Sequence, residues 1–91
     1  MAAQVIFECR DKLIVEYCVR KYGSDFQHQL DKHHGPLLHL LNTWRARMER
    51  EAALQQWYDY TEDDRGRRTP IRNAEGEPVL LVPTIHIDAG P

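Results

Sequence analysis

From Pro36 onward the chain carries an apolar stripe that fits one kind of backbone. Leu37, Leu41, Trp44, Met48 and Ala52 recur at steps of three and four, flanked by Leu40, which is the repeat of one helix face. Arg45 with Glu49 and Arg47 with Glu51 set opposite charges four apart in the same register. Pro36 suits a first helical turn. The helix is expected to run to about Tyr58–Tyr60, because Thr61-Glu62-Asp63-Asp64 puts anions where a helix C-terminus favours cations. Trp44, on the stripe, is expected to be core.

Upstream, residues 2–22 admit two readings. As a helix, Ile6, Cys9, Leu13, Ile14, Tyr17 and Cys18 form one wide stripe. As strands, Val5-Ile6-Phe7 and Leu13-Ile14-Val15 pair across Arg10-Asp11, but neither alternates cleanly and the turn lacks a glycine. The helix fits better, with Gly23 as its stop. Ser24 then opens a second helix, capped with Gln27 and with Asp25 in its first turn. Phe26 and Leu30 give that helix a thin apolar edge, and Gly35-Pro36 ends it.

Residues 61–70 are charged, contain Gly66 and Pro70, and read as a linker. Ile71-Arg72-Asn73 and Val79-Leu80-Leu81-Val82 then flank a turn-rich loop, and Pro78 and Pro83 suit an edge strand. Ile85-His86-Ile87 alternates. No internal repeat or low-complexity tract is read. The expected architecture is therefore α+β, mainly α: three helices, the third long, followed by a C-terminal β-hairpin or extended arm. A single domain is expected over 1–91, with a helical region over 1–60, a linker over 61–70 and a hairpin or arm over 71–88.

With 91 residues the core is small, which leads us to expect a homodimer. A net charge of −2, all of it from residues 61–91 while the rest of the chain is balanced, supplies no global field towards nucleic acid or an anionic membrane. No signal peptide or membrane span is read, and Cys9 and Cys18 are too few for a disulfide scaffold. A cytoplasmic protein with two buried thiols is the expectation.

Little in the sequence points to chemistry. His28, His33, His34 and His39 cluster with Asp25 and Asp31, but the spacing matches no metal motif and Gly35-Pro36 separates His39 from the rest. On the helical stripe both cysteines have aliphatic neighbours, which raise a thiol's pKa, and the glycines are too scattered for a phosphate loop. No catalytic residue, metal ligand or cofactor is assigned, and an enzyme is not expected.

The one unusual feature is apolar residues on the wrong face. At ~100° per residue, Ala53, Trp57 and Tyr60 lie nearly opposite Leu37, Trp44 and Met48, while Glu51 and Gln55 interrupt the main stripe. Trp and Tyr are the types most enriched in binding hot spots. The leading expectation is a non-catalytic interaction module (adaptor, inhibitor or regulator) docking on a protein partner through Ala53, Trp57, Tyr60, Val79 and Leu81. The alternative is a helix-turn-helix-like DNA-binding regulator presenting His39, Thr43, Arg47 and Arg50, with Arg65, Arg67 and Arg68 as a basic patch. Specific readers of DNA usually carry a basic excess, which this chain lacks.

Overall fold

The first apolar run is a strand. In a computed structural model, which describes residues 3–88, Gln4–Glu8 forms β1 and pairs antiparallel with β4, Thr84–Asp88. Val5 lies opposite Ile87 and Phe7 opposite Ile85, so one face of the ribbon is apolar. Phe7 and Ile85 are buried, whereas Gln4, Glu8, Thr84, His86 and Asp88 are exposed on the other face. The alternation of Ile85-His86-Ile87 thus has its counterpart at the opposite end of the sequence. The described residues fall into two compact units, one of residues 3–47 with 83–88 and one of Met48–Val82.

Asp11 starts the first helix, its carboxylate accepting from the Leu13 N–H at 3.0 Å. This helix, α1, is continuous over residues 12–32: α-helical at Lys12–Cys18, π-helical at Val19–Gly23 and α-helical again at Ser24–Lys32. Gly23 does not stop it, because its backbone is itself helical at φ −57° and ψ −47°. Gln27, expected in a capping box with Ser24, instead braces β1. Its Nε2 donates to the Ala3 carbonyl at 2.7 Å and its Oε1 accepts from the Val5 N–H at 3.2 Å.

The π turn sets which face of α1 is buried. Ile14, Cys18, Tyr22, Phe26 and Leu30 are all buried, each four residues after the last. In a regular α-helix a strict spacing of four drifts by ~40° per step, or ~160° over the set. A turn closed by i→i+5 bonds takes up one extra residue and returns the later side chains to the same face.

After the Gly35-Pro36 break, the second helix α2 covers Leu37–Gln55. Trp44 is core, stacked on Phe26 with centroids 4.5 Å apart and edge-on to Tyr22 at 5.9 Å. Its Nε1–H donates to Gln29 Oε1 at 3.1 Å. Leu40 is buried where the stripe pointed to Leu37, which is exposed. The helix stops short of the expected Tyr58–Tyr60. Gln56 turns left-handed at φ 58°, with Gln56 N–H donating to Ala53 O at 3.3 Å and Trp57 N–H to Ala52 O at 2.9 Å. Those two bonds make a Schellman cap, in which glycine is the usual left-handed residue.

The stretch read as a linker is a hairpin. Tyr60–Glu62 (β2) pairs antiparallel with Arg68–Pro70 (β3). A second hairpin arm pairs Arg72 with Pro78, and Tyr58 pairs with Leu80. Among the described residues the architecture is α+β, but with two helices and four strands in two small sheets, and not three helices followed by one hairpin. The expectation failed because β1 lies far in sequence from its partner, and because the π turn carries α1 through a glycine.

Candidate functional site

Within Met48–Val82 three short ladders meet at one point. Asp59 N–H donates to Val79 O at 2.7 Å, Val79 N–H to Ile71 O at 3.0 Å, and Ile71 N–H to Asp59 O at 3.1 Å. This closed ring of backbone bonds joins segments that are each too short to stand alone. Leu81 N–H donates to Trp57 O at 2.7 Å, so Trp57 is drawn out of the helix and into the junction.

Two arms leave this junction through the same turn. Asp63 N–H donates to Arg67 O and Gly66 N–H to Asp63 O, both at 3.0 Å, while the Asp63 carboxylate accepts from the Arg65 and Arg67 N–H groups at 2.9 and 2.8 Å. Ten residues on, Asn73 N–H donates to Glu77 O at 2.9 Å and Gly76 N–H to Asn73 O at 3.0 Å. Asn73 Oδ1 accepts from Glu75 and Glu77 N–H at 3.0 and 2.9 Å. Gly66 and Gly76 take φ 78° and 80°, the left-handed step that follows a type I turn in a three-residue hairpin. Asp63-Asp64-Arg65-Gly66-Arg67 and Asn73-Ala74-Glu75-Gly76-Glu77 are thus a structural repeat, where the sequence by itself showed none.

The expected interface residues all lie in this unit. Trp57, Tyr60, Val79 and Leu81 are half-buried and Ala53 is exposed. Beside them in sequence, Leu54 is 78% exposed and Tyr58 41% exposed. Leu80 and Val82 are also only half-buried. Tyr60 is covered on one side by the Arg68 guanidinium, 4.3 Å from the ring centroid. Tyr58 was missed because the helical projection was carried past the true helix end at Gln55; Leu54 lies inside the helix but off both apolar faces of that projection. Glu51 does not break the buried stripe; it is buried, and Gln55 Nε2 donates to its Oε2 at 3.1 Å.

The alternative face is dispersed differently. His39, Thr43 and Arg50 are exposed. Arg47 is half-buried, with its guanidinium 4.5 Å from the Trp44 ring and 5.0 Å from that of Tyr22, and it pairs with Asp25 at 3.5 Å. Asp25, His28 and Asp31 line a shallow groove with Lys21, Ser24 and Gln27. Among the described residues no three His, Cys, Asp or Glu side chains converge as a metal site. His33 is instead bonded to Pro36 O at 3.1 Å. Cys9 follows β1 and is half-buried, and Cys18 is buried in α1. Among the described residues no helix is long and apolar enough to cross a membrane. Comparison with protein-family models, with curated proteins and with solved structures gives no match.

Proposed function

We propose that this protein is a small, non-catalytic interaction module, an adaptor, inhibitor or regulator, that docks on a protein through the apolar surface of Met48–Val82. The observation that carries this reading is the incomplete cover of that unit's large apolar side chains. Leu54 and Tyr58 are exposed, and Trp57, Tyr60, Val79, Leu80 and Leu81 are half-buried. An aromatic and aliphatic patch rimmed by charged arms has the make-up of a protein contact. The closed ring at Asp59, Ile71 and Val79 supports the reading further. It holds the patch on fixed backbone, which lowers the entropy lost on docking.

Photo-crosslinking tests it. A benzophenone amino acid placed at Leu54 or Tyr58 should give discrete protein adducts in the cell of origin, and Trp57→Ala should abolish them. The same probe at Leu13, 72% exposed in the other unit, is the control. Adducts of equal yield from Leu13, or adducts indifferent to Trp57→Ala, reject the docking surface.

A further inference from the structure

We draw no further inference here: the strongest candidate, the half-covered apolar patch around Leu54, Trp57 and Tyr58 of Met48–Val82, already carries the proposed function, and nothing in the structure shows what covers it.

Discussion

Two single residues sit against their backbone conformation, in opposite senses. Gly23 lies inside α1 with helical angles, where glycine costs ~1 kcal/mol relative to alanine. A Cβ added there would meet Val19 Cγ1 at 3.8 Å, an ordinary contact. Gly23→Ala is therefore expected to raise stability by up to ~1 kcal/mol. Gln56 is the converse, a side chain held at φ 58°, a conformation that disfavours residues with a Cβ by ~1–2 kcal/mol. Gln56→Gly relieves it and should stabilise by about 0.5–1 kcal/mol, the gain reduced by the extra freedom of glycine in the unfolded chain. Urea titrations of the two variants check both signs. A destabilised Gly23→Ala would mean that the π turn itself needs glycine, and a destabilised Gln56→Gly that the Gln56 side chain matters more than its backbone.

At the level of elements, the π turn behaves as one residue too many for a regular helix. Deleting Arg20, exposed in that turn, lets α1 become α-helical throughout while Ile14, Cys18, Tyr22, Phe26 and Leu30 stay within ~80° of one another. Inserting an alanine at the same place leaves no phase that buries all five. The deletion should keep cooperative thermal unfolding and the insertion should lose it; the reverse outcome would reject the phase-resetting role. Why these elements were only partly legible follows from the same physics. The periodicity of α2 and the break at Gly35-Pro36 are local signals, and both appear in the structure. The identity of β1 depends on β4, which no short window of sequence contains. The hairpin at 60–70 was hidden by its charge, although Asp63 and Gly66 have the same spacing as Asn73 and Gly76. For the candidate surface, Trp57, Tyr60, Val79 and Leu81 were readable as types suited to contact. Tyr58 was not, because α2 ends early at a left-handed Gln56 and not at a glycine in the sequence, and Leu54 was not, because it lies inside α2 off both apolar faces of the projection.

For the molecule as a whole, the two tryptophans separate folding from docking. Trp44 is buried, stacked on Phe26 and bonded to Gln29. Removing a core side chain of that size costs about 3–5 kcal/mol, a large share of the ~5–15 kcal/mol that holds a domain folded. Trp44→Ala should therefore lose most helical circular dichroism, or melt far below the wild type. Trp57 belongs to the other unit and is only half-buried, and its link to Leu81 is made by its backbone carbonyl. Trp57→Ala keeps that carbonyl and the ring at Asp59, Ile71 and Val79. It should retain the helical signal and a melting midpoint close to the wild type. The loss should instead appear in association, on the order of 2 kcal/mol if Trp57 is a hot spot, or roughly 30-fold in the dissociation constant. Thermal melts read beside light scattering distinguish the two. If Trp57→Ala melts as low as Trp44→Ala while the wild type is monomeric, the aromatic patch is the packing of its own unit, and the docking surface goes with it.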